Sequence, residues 1–340
     1  MSRAPRGTLR RALLLLLASA APALAQRRGA PVIDMHLHAH ALADYGGGFP
    51  ACTNDGAIEW LGVDPREPIT FARELARCAV TVPQAASDSA LLRESLAMLA
   101  RYNIVRADTT GTVERVGAWH AAAPDRIVPA TFFDAGGSRT PADFRRLHAD
   151  GRFRIFAEVG PQYDGHRVDD AVYEPFFALA EELDIPVGVH LGEGPVGGPH
   201  VLGGSPYRAR LGSALQLEEV LVRHPKLRVY VMHFGSPLVD ETIALLFSHP
   251  QVYVDVAQND WGTPRAHFYA QLRKLVDAGF AKRILWGSDQ MIWPRTIGVA
   301  IETIERAPFL TAAQKRDILY NNAARFLRLT PEEIARDHAR

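Results

Sequence analysis

The sequence predicts an α/β protein: a single-domain (β/α)8 TIM barrel with an extended loop after its first strand. Two observations carry that expectation. Nearly continuous apolar, β-branched runs alternate with segments of helical length, giving eight strand–helix units, which suits parallel strands covered on both faces. Several of those runs also end on a single ionisable residue where the chain leaves the sheet. A doubly wound open sheet shares the alternation and is the rival architecture.

The elements follow in order. "PVIDMHLH" (31–38) is the first strand, and a stretch rich in Gly, Pro and Asp separates it from a helix over 87–102. Strands at 104–111 and 126–133 flank a helix at 112–123. "TPADFRRLHAD" (140–150) opens with Thr140 as N-cap and Pro141 in the first turn, which marks a helix start. A strand at 153–160 precedes a helix over 169–184, in which Pro175 predicts a kink. The second half reads more plainly, with strands at 185–192, 228–235, 251–257 and 283–289. Helices are expected at 215–224, 238–248, 266–280 and 296–306, with a last one over 312–328.

Ahead of the barrel, "MSRAPRGTLRR", the apolar "ALLLLLASAA" and the small-residue end at Ala23–Ala25 read as an export signal over 1–25. The mature chain would then be 26–340, exported to a periplasm or secreted, with no membrane attachment after cleavage. The chain has 38 basic and 38 acidic residues, and the balance argues against nucleic acid as partner. A small-molecule substrate is expected, and a homodimer is left open. The two cysteines, Cys52 and Cys78, are expected to form a disulfide in an oxidising compartment. "GEGPVG" (192–197) matches a dinucleotide pattern, but Pro195 interrupts it and no helix is expected to follow, so it is discounted.

The strand ends carry the chemistry. His36 and His38 end the first strand, Glu158 the fourth, His190 the fifth, His233 the sixth and Asp289 the eighth. In a parallel barrel these ends gather on one face, and His36 and His38, two apart, share a side of the sheet. Imidazole and carboxylate without thiolate suit Zn first, with Mn, Fe or Ni as alternatives. Singly each residue has a plain reading: a bonded core histidine, a helix cap at Asp289, an ion pair at Glu158. Together they would be costly to bury without an ion. His40 is expected past the strand end, in the loop or behind the ligands. Asp34, one layer deeper, would either orient an imidazole or accept backbone amides. His224 and His249 are expected to cap helix C-termini against the dipole.

With these motifs in view, "IDMHLH", "VGVHLGEGP", "VYVMHFG", "LWGSDQ" and "NNAARFL" resemble the amidohydrolase superfamily. More narrowly, they resemble the amidohydrolase-related branch that holds aminocarboxymuconate-semialdehyde decarboxylase. The resemblance implies a barrel with one or two divalent ions at its C-terminal mouth. It makes His36, His38, His190, His233 and Asp289 the metal and catalytic positions. Many binuclear members carry a carboxylated lysine on the fourth strand; here Glu158 stands there, similar to the glutamate of TatD-type deoxyribonuclease relatives. Asp289 would take a proton from metal-bound water, and His233 would bind metal or the substrate carbonyl. Arg208 and Arg210 would clamp a substrate carboxylate, with Gln162, Tyr163 and Trp261 as further substrate contacts past strands four and seven. Hydrolysis of an amide, ester or lactone is the first expectation. Non-hydrolytic decarboxylation is the second, and an exported metal-binding protein without turnover the third. A nuclease ranks last, for want of a basic groove.

Overall fold

The computed structural model describes residues 1, 29–64, 66–67 and 76–340; apart from Met1, the expected export signal lies outside the described residues. Eight strands run in chain order: β1 Val32–His38, β2 Ile104–Thr110, β3 Ile127–Thr131 and β4 Ile155–Val159. They continue as β5 Val187–His190, β6 Val229–Met232, β7 Val252–Asp255 and β8 Ile284–Leu285. Every neighbouring pair is parallel and the order is sequential, which excludes the doubly wound sheet, whose order reverses at a switch point. Backbone bonds join the last strand to the first: Met35 N–H donates to the Trp286 carbonyl (3.0 Å) and Asp289 N–H to that of His36 (2.6 Å).

A helix of six residues or more follows each strand: α1 Asp88–Arg101, α2 Val113–Ala122, α3 Pro141–Ala149 and α4 Glu174–Glu182. They are followed by α5 Glu218–Arg223, α6 Val239–Ser248, α7 Arg265–Asp277 and α8 Thr296–Arg306. Thr140 caps α3 as expected, its side chain accepting from Asp143 N–H. The kink expected at Pro175 is absent because α4 begins at Glu174, which puts the proline in the first turn, where its missing N–H costs nothing. His224 and His249 stand at the expected C-cap positions of α5 and α6, with side chains turned toward carboxylates. His224 reaches across to α4, to Glu181 Oε2 (3.1 Å) and Glu174 Oε1 (2.9 Å), because those carboxylates outcompete the carbonyls of its own helix. His249 Nε2 lies 3.8 Å from Glu218 Oε1.

The helices pack on the outer face of the sheet through an aromatic-rich core that includes Phe133, Phe144, Phe153, Phe156 and Phe177. A second cluster joins Ile33, Met35, Val105, Ile155, Tyr230 and Leu285 of the strands to Tyr320, Ala323 and Phe326. It seals the barrel below the histidines. An unexpected last helix, α9 (Pro331–His338), locks this end: buried Asp337 accepts from Arg106 Nε (2.8 Å) and from the Tyr320 hydroxyl (3.0 Å).

The loop after β1 is a lobe of two antiparallel ribbons, Ala51–Cys52 with Thr81–Val82 and Ile58–Trp60 with Ala76–Cys78. The expected Cys52–Cys78 disulfide ties them together. Asn54 fastens the lobe to the barrel mouth, its N–H on the Trp261 carbonyl (2.8 Å) and its amide on that of Asp260 (2.9 Å). Among the described residues no helix is long and apolar enough to cross a membrane.

Candidate metal centre

Strict alternation along β1 would send Met35 and His36 to opposite faces. Met35 nevertheless lies in the inner cluster while His36 joins the polar centre, because the pairing with β2 shifts between Asp34 and Leu37. β4 repeats the device: Ala157 is inside, Glu158 is aimed at the centre, and the register with β5 shifts between Phe156 and Val159. Bulges of this kind re-aim side chains beside functional sites. After β6 and β8 the chain turns through left-handed backbone at His233 (φ 56°) and Asp289 (φ 44°). That conformation costs about 1–3 kcal/mol for a residue other than glycine and tends to gather at such sites. Gly192 (φ +104°) lets the β5 loop press against Ser236, which brings the Glu193 carbonyl within 2.9 Å of His190 Nε2.

These turns bring the expected residues together. Glu158 Oε2 lies 3.3 Å from His38 Nε2 and 3.6 Å from His36 Nε2. Asp289 Oδ1 stands 3.0 Å from His38 Nε2 and 3.8 Å from His36 Nε2. The other Glu158 oxygen, Oε1, touches His190 Nδ1 and lies 3.4 Å from His233 Nε2, and those two nitrogens are 3.1 Å apart. Glu158 therefore faces two ligand groups, one oxygen to each: His36 with His38, and His190 with His233.

Outward bonds show whether this set suits a cation. A carbonyl oxygen can only accept, so the ring nitrogen facing it carries hydrogen. His233 Nδ1–H donates to the Ala257 carbonyl (3.0 Å), His190 Nε2–H to that of Glu193, and His36 Nδ1–H to Asp255 Oδ2 (3.0 Å). The inward nitrogens of all three rings are thus left to a second proton or an ion, and buried His36 Nε2 has no hydrogen-bond partner. The donor set fits a divalent metal.

The field agrees. Burial pushes the Glu158 carboxyl up, but His190, His233 and His36 outweigh it and hold the group well below the usual carboxylate range. Asp289, likewise opposed by burial, is brought down to about 2 by His36, His38 and His233. In return, the carboxylates overcome burial to raise His36 and His38, and His233 rises to about 9. A field that draws protons onto imidazoles also draws a cation.

Asp34 takes the second of its two expected roles: Oδ1 accepts the backbone N–H of His36 (3.0 Å) and of Ser288 (2.9 Å), and burial raises its carboxyl to about 6. His40 stacks behind His38 (4.5 Å between centroids) and bonds Asp44 (3.3 Å). Tyr163 stands at the centre's edge, its hydroxyl 3.0 Å from His190 Nε2. Gln162 is fully buried, and Trp261 is buried with its indole N–H on the Ser288 carbonyl (2.6 Å). Arg208 and Arg210 are exposed; Arg208 bonds the Tyr207 carbonyl (2.7 Å), and neither pairs with the ligand carboxylates. Sequence reasoning passed over Asp255, fully buried and grouped with His36 and His233. Its signal was the one used elsewhere, a lone carboxylate closing an apolar strand.

No curated protein matches the chain. Solved structures do, at the level of fold. An uncharacterised TIM-barrel protein from Bordetella bronchiseptica superposes with a TM-score of 0.62 at 20% identity, covering 88% of this chain and 98% of its own. A probable 2-pyrone-4,6-dicarboxylic acid hydrolase from Acinetobacter baumannii gives 0.56 at 16% identity, covering 88% and 99%. A 5-carboxyvanillate decarboxylase from Novosphingobium aromaticivorans, solved with bound manganese, gives 0.50 at 13% identity, covering 69% and 80%. The amidohydrolase family model matches residues 33–329, nearly the whole described barrel, and the chain belongs to that family of metal-dependent enzymes.

Proposed function

We propose that the protein is a metal-dependent hydrolase of an amide, ester or lactone bond in a small molecule. The observation that carries this reading is the convergence of inward-facing imidazole nitrogens on Glu158, beside an Asp289 held ionised. His36, His38, Glu158 and Asp289 would hold one ion, and Glu158, His190 and His233 a second; Glu158, offering one oxygen to each group, favours two. Such an ion supplies a water acidified toward a pKa of about 7 and a polarised carbonyl. The Asp289 carboxylate would accept a proton and return it to the leaving group. The imidazoles, tied outward to carbonyls and to Asp255, keep their geometry while charge develops. Zinc is the first candidate, and the manganese of the decarboxylase neighbour makes that ion the second. The disulfide supports an exported location, since such bonds persist in oxidising compartments.

The fold neighbours include hydrolases and decarboxylases, so the test separates those reactions. Metal content comes first, on the wild type and on a His36→Ala/His38→Ala variant, where one or two divalent ions per chain should be lost. A lactone, ester and amide panel in 18O-labelled water should then place one label in the carboxylate of each acid product and none in a released alcohol or amine. Carbon dioxide release from aromatic acids, with no label in the organic product, would replace this reading with decarboxylation. A folded wild type that takes up no divalent ion would sink both.

A further inference from the structure

Asp255 ends β7 inside the candidate centre, within 4.8 Å of ligand atoms of His36 and His233. A seventh ligand is the first role that position suggests, and its bonds point elsewhere. Oδ2 accepts the His36 Nδ1–H (3.0 Å), on the opposite side of the ring from the nitrogen that meets Glu158 and Asp289. Oδ1 accepts two backbone N–H groups, from His233 (2.8 Å) and Ala257 (3.1 Å). Both oxygens are therefore engaged by N–H donors other than the inward ring nitrogens that would hold an ion.

Those three bonds reach both ligand groups. On β1 the carboxylate keeps the His36 proton on Nδ1 and leaves Nε2 for the centre. After β6 it holds the backbone of His233, a residue in left-handed conformation. It also fixes the N–H of Ala257, the residue whose carbonyl accepts the His233 Nδ1–H (3.0 Å) and so sets that ring's tautomer. His36 belongs to the group with His38 and Glu158, and His233 to the group with Glu158 and His190.

We propose that Asp255 is a positioning residue that presets the ligand-ready tautomers of His36 and His233, so that ion uptake at both groups depends on one carboxylate. The proposal rests on the metal-centre reading above. Asp255→Asn is the informative variant: it keeps an oxygen for the two backbone donors and puts an amide N–H where His36 requires an acceptor. Zinc affinity is measured by chelator competition, beside the thermal midpoint of the metal-stripped protein. 15N spectra of the histidines are taken on the stripped protein at alkaline pH, where the rings are neutral. The expected result is binding weakened by about 10–100-fold, an unchanged stripped midpoint, and the His36 proton moved to Nε2. Wild-type zinc affinity with the proton still on Nδ1 would overturn the proposal, as would a loss of binding explained wholly by a lower folded fraction. If Asp255→Asn does not fold, Asp255→Glu replaces it; a displaced acceptor should weaken zinc binding about tenfold, and unchanged binding overturns the proposal. A wild type that binds neither zinc nor manganese overturns the metal reading itself, while the tautomer spectra still test the action of Asp255 on His36.

Discussion

Protons and metal compete for the same inward nitrogens of His36, His38 and His233, and the surrounding carboxylates raise all three rings above their ordinary value. A group whose pKa is raised keeps its proton to higher pH, so metal binding must displace protons that an ordinary histidine would already have lost. Divalent ion affinity should therefore keep rising from pH 6.5 toward pH 9, the range set by the ordinary value and the shifted His233. Titration calorimetry at several pH values would check this; an affinity flat across that range would count against the assigned ligands. Asp289→Asn should lower kcat by about 10²–10⁴-fold, the usual contribution of a positioned base. Much of this was legible residue by residue, because ionisable side chains at the ends of apolar strands have few structural explanations. The tautomers were not, since they depend on the Ala257 and Glu193 carbonyls, and backbone leaves no mark in a sequence.

Elements show where pattern reading succeeds and where it stops. Long apolar runs located all eight strands, yet the register shifts in β1 and β4 that turn His36 and Glu158 inward break the period on which such reading relies. α9 was missed although "TPEE" (330–333) repeats the cap-and-proline start seen at Thr140; too few apolar residues follow to show a helical face. The ribbon lobe was expected only as a loop with a crosslink. Its Cys52–Cys78 bond spans a separation of 26 residues, worth about 3–4 kcal/mol in the loop-entropy model. Cys52→Ser/Cys78→Ser should lose stability of that order in a denaturant titration. Metal content should stay at the wild-type level, because every candidate ligand lies on the barrel. A double variant that folded but lost its metal would make the lobe part of the centre.

Across the whole molecule the two ends of the barrel divide the work. The histidine end carries polar groups and left-handed turns, while the opposite end is sealed by apolar packing and the Asp337–Arg106 pair. Asp337→Ala removes the partner of Arg106 Nε and of the Tyr320 hydroxyl, while Glu333 Oε1 stays 3.7 Å from the guanidinium, and should destabilise the fold by about 1–3 kcal/mol. Ion affinity of the folded fraction should not change, which thermal melts with and without metal would show. The burial of the centre has one more consequence. The side chains of His36, His233 and Asp289 are 0%, 4% and 7% exposed, and Glu158, at 19%, offers solvent the widest approach. Contents enclosed to that degree exchange on the timescale of loop opening rather than of free diffusion. Chelators should strip the native protein more slowly than they prevent loading when added during refolding. The ion found in a purified sample would then record the solution in which the chain folded, more than the one in which it is assayed.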